Sequence, residues 1–183
     1  MHAAQVCRGI NEFLGQSNDA VFISDGGEFG QWAQACISAP HRIINGPSGS
    51  IGSAIPFAMA ARLAFPESVI VATLGDGTFG FHPLEFDTAV RETLPFVAVV
   101  GNDDCWNAEY QIQLRDYGSD RTHACELTTT AYDEVVRTLG GHGESVSNPD
   151  ELPDALQRAV RSARPACLNV AIERIAAPVF RRT

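Results

Sequence analysis

Short apolar runs alternate with longer amphipathic segments along this chain. The apolar runs, which predict strands, cover 20–24, 69–74, 95–100 and 166–172. The amphipathic segments, which predict helices, cover 3–14, 28–36, 54–65, 83–93, 132–139 and 153–163. Continuous apolar strands separated by helices are typical of a parallel sheet with both faces covered. The pattern therefore predicts an α/β fold with three layers, α/β/α, and a mainly parallel sheet of about six strands.

The chain has 183 residues, of which 45% are hydrophobic, and this is enough apolar material for one complete core. We therefore interpret 1–183 as a single domain. The glycine-containing segment 46–52 predicts a loop, and 174–183 predicts a C-terminal tail.

The charge balance limits the classes of partner. Lys and Arg total 13 against 22 Asp and Glu, which gives a net charge of −9 and argues against binding to nucleic acid or to an anionic membrane. No apolar run approaches the roughly 20 residues of a membrane span, and the amino terminus does not resemble a secretory signal. The five cysteines are scattered without metal-binding spacing, which favours reduced thiols. These features predict a cytoplasmic location.

Polar residues follow two of the predicted strands at the point where each strand ends. Strand 69–74 leads into Gly-Asp-Gly-Thr at 75–78, and strand 95–100 leads into Gly-Asn-Asp-Asp at 101–104. The carboxyl ends of parallel strands form the edge where open α/β folds bind ligands. Oxygen ligands beside glycine-rich backbone suit a hard cation that holds a phosphate group. Gly-Asp-Gly alone also makes ordinary turns, so the prediction depends on the spacing and the strand context.

This arrangement resembles that of the thiamine diphosphate enzymes, whose fingerprint is G-D-G, a spacer, and then N-N or N-D. The longer stretches GDGTFGFHPLEFDTAVR and VVGNDDCWNAEY are similar to the acetolactate synthase-like branch, and within it to the 2-hydroxyacyl-CoA lyases. The resemblance implies the thiamine diphosphate-binding fold, with thiamine diphosphate and Mg²⁺ as cofactors.

The resemblance also implies which residues hold the metal. Asp76 supplies one carboxylate, Asp103 stands at the position of the second side-chain ligand, and the third ligand is the backbone carbonyl of Cys105. Asn102 remains a competing assignment for the second ligand.

The cofactor contacts implied by the resemblance come from four segments. The first segment, 24–32, looks like the first cofactor loop of the family. The contacts are Gly27, Glu28 and Phe29; Gly49, Ser50 and Ile51; Gly75, Gly77 and Thr78; and Trp106 and Asn107. Ile51 has the position of the bulky apolar residue that holds the cofactor in its bent, reactive shape, although it could also be an ordinary core isoleucine.

Glu109 is the candidate for proton transfer. Decarboxylating relatives carry a glutamate at this position, where a partly buried carboxylate exchanges a proton with the substrate adduct. The alternative is a solvated glutamate on a helix, which is the commoner environment. The following segment, 110–128, resembles a substrate-side loop.

The resemblance implies that a second domain, which binds the pyrimidine ring, must complete the site. Since the chain starts with Met1 and a helix, we interpret it as the small subunit of a split carbon–carbon lyase or ligase. An excised fragment is the alternative. The expected substrates are 2-hydroxyacyl-CoA or 2-oxo acids, and the expected assembly is a hetero-oligomer with self-association. Two other hypotheses are a 2-oxo acid decarboxylase or acetolactate synthase-like subunit, and a non-catalytic nucleotide-binding domain.

Overall fold

In the computed structural model, which describes residues 1–45 and 48–178, six strands form one parallel sheet. The strands are β1 (Ala20–Ser24), β2 (His41–Ile44), β3 (Val69–Gly75), β4 (Val97–Asn102), β5 (His142–Val146) and β6 (Ala166–Ala171). Their order across the sheet is β2-β1-β3-β4-β6-β5, and every neighbouring pair is parallel. The predicted parallel sheet is confirmed.

Helices cover both faces of this sheet. They are α1 (Ala3–Leu14), α2 (Gly27–Cys36), α3 (Ala54–Ala64), α4 (Asp76–Phe79), α5 (Glu85–Arg91), α6 (Asn107–Tyr117), α7 (Tyr132–Thr138) and α8 (Leu152–Arg161). One apolar cluster joins α1, α2 and α8 to the sheet, and a second cluster joins α3, α4, α5 and α7 to it. Two separate clusters on opposite faces confirm the predicted three-layer fold. Among the described helices, not one has the length and apolar character that crossing a membrane requires.

The strand order places a crevice in the middle of the sheet. The chain leaves β1 for β2 on one side, whereas β3 lies on the other side of β1. Connections that diverge in this way leave a gap outside the carboxyl ends of the strands, which is the common ligand position of open α/β folds. The carboxyl ends of β1 and β3 are therefore the place where a site is expected.

The two edge strands do not appear in the sequence pattern. Strand β2 has four residues that alternate between half-buried and exposed, and β5 contains Gly143, Glu144 and Ser145. Edge strands are covered on fewer sides, so their sequences need less apolar character. Only the four central strands carry the long apolar signal.

The structure also corrects one prediction, and it describes only part of two other predicted segments. Segment 110–128 is not a loop throughout, because α6 continues to Tyr117; the helix buries only Asn107, so its apolar periodicity is weak. In the predicted loop 46–52, positions 46 and 47 lie outside the described residues, and 48–52 contains neither helix nor strand. Of the predicted tail, 174–178 is described and lies against α2 and α6.

Candidate functional site

A cleft opens at the carboxyl edge of the sheet, where four loop segments meet. Its lining residues are Gly27, Glu28, Phe29, Ile51, Gly75, Asp76, Gly77, Thr78, Gly101, Asp103, Cys105, Trp106, Asn107, Ala108 and Glu109. Most of the residues that the sequence predicted for the site therefore lie together. Gly49, Ser50 and Asn102 are not among the lining residues.

Asp76 connects the two strand ends. The residue is 3% exposed, and one of its carboxylate oxygens accepts a hydrogen bond from the backbone N–H of Gly77 at 2.7 Å. The other oxygen accepts one from the backbone N–H of Cys105 at 3.1 Å. The carboxylate at the end of β3 therefore holds the loop that follows β4.

Asp103 faces Asp76 across the cleft floor. Desolvation, together with repulsion from Asp76, raises the pKa of Asp103 to about 7, and desolvation also raises the pKa of Asp76. One hydrogen bond, from Asn107 Nδ2 to Asp103 Oδ2 at 2.8 Å, favours the charged form of Asp103. Two carboxylates in a shared desolvated site repel each other, and a divalent cation between them would remove that cost.

Asn102 has a different environment from Asp103. Its side-chain N–H₂ donates to the Thr130 carbonyl and to Asn169 Oδ1, both at 3.2 Å, and its Oδ1 accepts from the Asp104 N–H at 3.3 Å. These contacts hold the Asn102 side chain within the protein and outside the cleft. The geometry therefore favours Asp103 over Asn102 as the residue that reaches a bound metal.

Cys105 lies in the cleft with its thiol buried. Burial raises the pKa of the Cys105 thiol to about 12, so the sulfur stays protonated. A protonated thiol is a poor ligand for a hard cation, whereas a backbone carbonyl is a suitable one. Among the described residues, no group of three or more His, Cys, Asp or Glu side chains could hold a metal alone. A metal here would therefore need a carbonyl or a phosphate in addition to the two carboxylates.

Two long helices begin at the cleft. The N-cap residues of α2 and α6 are Gly26 and Trp106, and neither helix start has a capping hydrogen bond from the side chain of its N-cap residue, which in Gly26 is absent. The first N–H groups of a helix have no partner within the helix, and the helix dipole adds positive potential at that end. Two uncapped helix starts facing one cleft form a suitable site for an anion such as a diphosphate.

Glycine is required where two side chains approach the backbone closely. A Cβ atom at Gly77 would lie 2.7 Å from the Trp106 ring. A Cβ atom at Gly26 would lie 2.0 Å from the Cγ2 atom of Ile51. Gly26 belongs to the segment that resembles the first cofactor loop, but its contact with Ile51 was not predicted, although a glycine close after a predicted strand is a signal for such an approach.

Asp25 lies in the same segment, and its individual role was not predicted either. Its buried carboxylate accepts from the backbone N–H groups of Gly26 at 2.7 Å, Gly52 at 3.1 Å and Ala54 at 2.6 Å. These bonds fasten the loop before α3 to the end of β1, and thereby hold Ile51 against Gly26. An aspartate that ends a strand just before two glycines is the signal that could have revealed it.

Two glutamates lie nearer the cleft mouth. Glu28 is half-buried, and its carboxylate accepts a hydrogen bond from the backbone N–H of Ala177. Desolvation, with a smaller contribution from repulsion by Glu109, raises the pKa of Glu28. Glu109 lies in the first turn of α6 and is exposed in this chain.

The fold and the cleft define a cofactor-binding domain of the α/β class, and sequence comparison assigns its family. The family described as "Thiamine pyrophosphate enzyme, C-terminal TPP binding domain" matches residues 25–170. Thiamine pyrophosphate is the same compound as thiamine diphosphate. The chain belongs to this family, and the resemblance on which the sequence analysis relied is confirmed.

The relatives of the chain include two kinds of enzyme. It is 44% identical over 156 residues to the acetolactate synthase large subunit IlvG of Mycobacterium tuberculosis, covering 83% of this chain and 28% of that protein. It is 32% identical over 183 residues to 2-hydroxyacyl-CoA lyase 2 of Homo sapiens, covering 95% of this chain and 28% of that protein. The chain therefore spans little more than a quarter of these relatives.

Proposed function

We propose that this chain is the diphosphate- and Mg²⁺-binding part of a thiamine diphosphate-dependent carbon–carbon lyase or ligase. One observation carries the proposal, namely that Asp76 and Asp103 face each other in the cleft where the uncapped starts of α2 and α6 meet. A diphosphate could not approach two carboxylates without a cation between them, because the charges would repel. The site is therefore suited to an anion and a metal together.

In this proposal Asp76, Asp103 and the Cys105 carbonyl hold Mg²⁺, since all three offer oxygen. The free N–H groups of α2 and α6, with the Thr78 hydroxyl at the cleft wall, hold the diphosphate. Gly75 and Gly77 keep the backbone close to the ligand.

Thiamine diphosphate, when bound, supplies a nucleophilic carbon that adds to the carbonyl carbon of a substrate. The residues of this chain position that group. Ile51 packs on Gly26, where Asp25 fixes its loop, and so provides an apolar support beside the diphosphate site. Glu109 lies at the cleft mouth, where its carboxylate would exchange a proton with the substrate. Since Glu109 is exposed here, burial of its carboxylate must come from another domain.

A partner chain with the pyrimidine-binding domain would supply that burial. The chain covers 28% of its relatives, and apolar side chains are exposed beside the cleft. Phe81, which is 52% exposed, packs edge-on against the ring of Trp106, and Leu84 is 71% exposed. Exposed apolar groups around an incomplete site favour a hetero-oligomer, with self-association of the chain as in many such assemblies.

Two substrate classes fit the relatives. Similarity to the lyase favours 2-hydroxyacyl-CoA substrates, and similarity to the synthase favours 2-oxo acids, including decarboxylation with Glu109 as the proton donor. A non-catalytic nucleotide-binding domain remains the candidate from another class. The paired desolvated carboxylates disfavour it, because nucleotide binding alone does not require them.

For the test, this chain carries an affinity tag in its native cells, and the assembly that contains it is purified through the tag. We expect it to bind thiamine diphosphate in a Mg²⁺-dependent manner and to prefer it over ADP in calorimetric titrations. Cleavage of 2-hydroxyacyl-CoA would assign the lyase activity, and condensation of 2-oxo acids would assign the synthase activity. Binding of ADP in preference to thiamine diphosphate would overturn the proposal.

A further inference from the structure

Arg174 contacts the loop after β4 from outside the cleft. We call Asn102–Cys105 the metal loop. The Nη2 atom of Arg174 donates to the carbonyl oxygen of Asp103 at 3.2 Å and to that of Asp104 at 3.0 Å. The Nε atom lies 3.4 Å from the same Asp103 carbonyl. One guanidinium therefore holds two consecutive peptide groups of this loop.

The guanidinium is itself held in place from its other sides. Nη1 and Nη2 donate to the two carboxylate oxygens of Glu126 at 2.7 and 2.9 Å. The Tyr110 ring lies beneath it, with its centroid 5.5 Å from the Arg174 Cζ atom. A bidentate ion pair and an aromatic ring fix the plane of an arginine, which lysine could not reproduce.

The backbone carbonyl groups of the metal loop differ in whether they accept a hydrogen bond from the protein. The Asn102 carbonyl accepts from the Ile172 N–H at 3.0 Å, and the Asp104 carbonyl accepts from the Leu127 N–H at 2.9 Å as well as from Arg174. The Asp103 carbonyl accepts from Arg174. Within the part of the chain that the structure describes, no donor reaches the Cys105 carbonyl. The carbonyl groups before Cys105 are therefore engaged by the protein, and that of Cys105 is left for a ligand.

The metal loop also contains an unfavourable backbone conformation. Asp104 has φ of 56°, in the left-handed region that residues other than glycine seldom adopt. Such a residue persists only where surrounding contacts determine its conformation. The Arg174 hydrogen bond to the Asp104 carbonyl is one of these contacts, and it acts directly at the turn that leads to Cys105.

We propose that Arg174 is a positioning residue for the metal site, because it fixes the peptide groups of Asp103 and Asp104 so that the Asp103 carboxylate and the Cys105 carbonyl converge on one cation. This inference rests on the proposed function, since it assumes a metal between Asp76 and Asp103. It gives a role at the site to a residue of the segment 174–178, which has no regular secondary structure and does not line the cleft.

The test measures metal binding rather than turnover. Mn²⁺ is titrated into the tagged native assembly with saturating thiamine diphosphate, and free Mn²⁺ is followed by electron paramagnetic resonance. Arg174→Gln should raise the dissociation constant for Mn²⁺ by about 10–100-fold, as is usual when a group that orients metal ligands is removed. Arg174→Lys should recover only part of the loss, because an ammonium cannot bridge both carbonyl groups in the same plane.

Two control variants separate positioning from general stabilisation. Glu126→Gln removes the charge of the ion-pair partner but keeps one oxygen that accepts from Arg174, which leaves the guanidinium and its carbonyl contacts in place, so we expect a change of about twofold or less. Arg158→Gln removes the exposed ion pair with Glu144, remote from the cleft, and should leave Mn²⁺ binding unchanged. At saturating metal, kcat of the Arg174→Gln assembly should return near the wild-type value, whereas misfolding would lower kcat at every metal concentration.

The outcomes also distinguish the two proposals. If the wild-type assembly binds no Mn²⁺, the proposed function fails, and the role of Arg174 fails with it. If the wild type binds Mn²⁺ and Arg174→Gln binds it equally well, only the role of Arg174 is overturned. An equal loss in Glu126→Gln and Arg174→Gln would also overturn it, because the ion pair rather than the carbonyl contacts would then be responsible.

Discussion

The two strand ends that form the cleft differ in how they are held. At the end of β3, the chain turns directly into α4, and Asp76 accepts from the N–H of the next residue, Gly77. At the end of β4, the metal loop depends on distant residues, among them Thr130, Asn169 and Arg174. The first end is shaped by local sequence, and the second is shaped by the tertiary structure around it.

This difference has a consequence for the chemistry of the two carboxylates. Asp76 accepts two backbone hydrogen bonds, which favour its charged form against the cost of burial. Asp103 accepts one bond from Asn107, and its pKa rises to about 7. Near neutral pH, a site with one well-supported carboxylate and one poorly supported carboxylate is fully ionised only when a cation is bound. Asp103, rather than Asp76, should therefore make metal binding sensitive to pH near neutrality.

The largest expected effect is at the end of β3. Asp76→Ala should remove Mg²⁺-dependent binding of thiamine diphosphate, because the cation loses an anionic ligand and the metal loop loses the hydrogen bond to Cys105. Asp103→Ala should do nearly the same. Calorimetric titration of the native assembly measures this, with Asp87→Ala on the exposed face of α5 as control. Normal cofactor binding by Asp76→Ala would refute the metal assignment.

The next effect concerns Glu109, in the first turn after the metal loop. Glu109→Gln keeps the shape of the side chain but removes its proton, so turnover should fall by roughly 10²–10⁴ while cofactor binding survives. The measurement is kcat against pH, with Glu12→Gln on α1 as control. A rate and a pH profile equal to those of the wild type would identify Glu109 as a solvated helix residue.

The raised pKa of Asp103 predicts a pH dependence of metal affinity. Below about pH 7, the metal-free site holds a proton on Asp103 that the cation must displace, so affinity for Mg²⁺ should rise about tenfold per pH unit between pH 5 and 7. Above this range it should level off. Isothermal titrations at several pH values test this, and Asp103→Asn should flatten the dependence. A flat profile in the wild type would show that the two carboxylates do not share the site.

The same shift predicts how the metal-free protein responds to pH. The folded-state pKa of Asp103 lies above its ordinary value of 3.8, so the folded protein holds the proton more tightly than the unfolded chain. The resulting contribution to stability is complete below about pH 4 and is lost as pH rises through about 7. In thermal unfolding of the metal-free protein, the Tm should therefore decrease towards pH 8 by more than the other titrating groups would cause. Addition of Mg²⁺ with thiamine diphosphate should reverse this decrease.

The contrast between the strand ends also explains what the sequence could predict. The central strands and the Gly-Asp-Gly turn appear in the sequence because continuous apolar character and local turn residues determine them. The two strand ends alone predicted that Asp76, Asn102 and Asp103 lie at one edge of the sheet, and the choice of Asp103 depended on the family resemblance. The family resemblance then supplied the chemistry.

Residues whose contacts are distant along the chain could not be recognised from the sequence pattern. Arg174 looked like part of a polar tail, because its contacts with Asp103, Asp104 and Glu126 exist only in the folded chain. Asp25 was predicted only as part of the first cofactor loop, because its hydrogen bond to the first residue of α3 depends on the packing of the two elements. Edge strands β2 and β5 were missed for the same reason, since pairing with a neighbour rather than apolar pattern defines them.

The smallest expected effect tests the contrast most directly, at Asn102. Because its amide bonds to Thr130 and Asn169 lie outside the cleft, Asn102→Ala should change the dissociation constant for Mg²⁺ by only a few fold at most, roughly the effect of a modest structural change. The free energy of unfolding should fall by about 1–3 kcal/mol, because the Asn169 side-chain oxygen loses its donor. Chemical denaturation of wild type, Asn102→Ala and the exposed control Asn18→Ala measures the stability. Loss of cofactor binding in Asn102→Ala, with normal binding in Asp103→Ala, would exchange the roles of the two residues and would show that the metal loop rearranges when the cation binds.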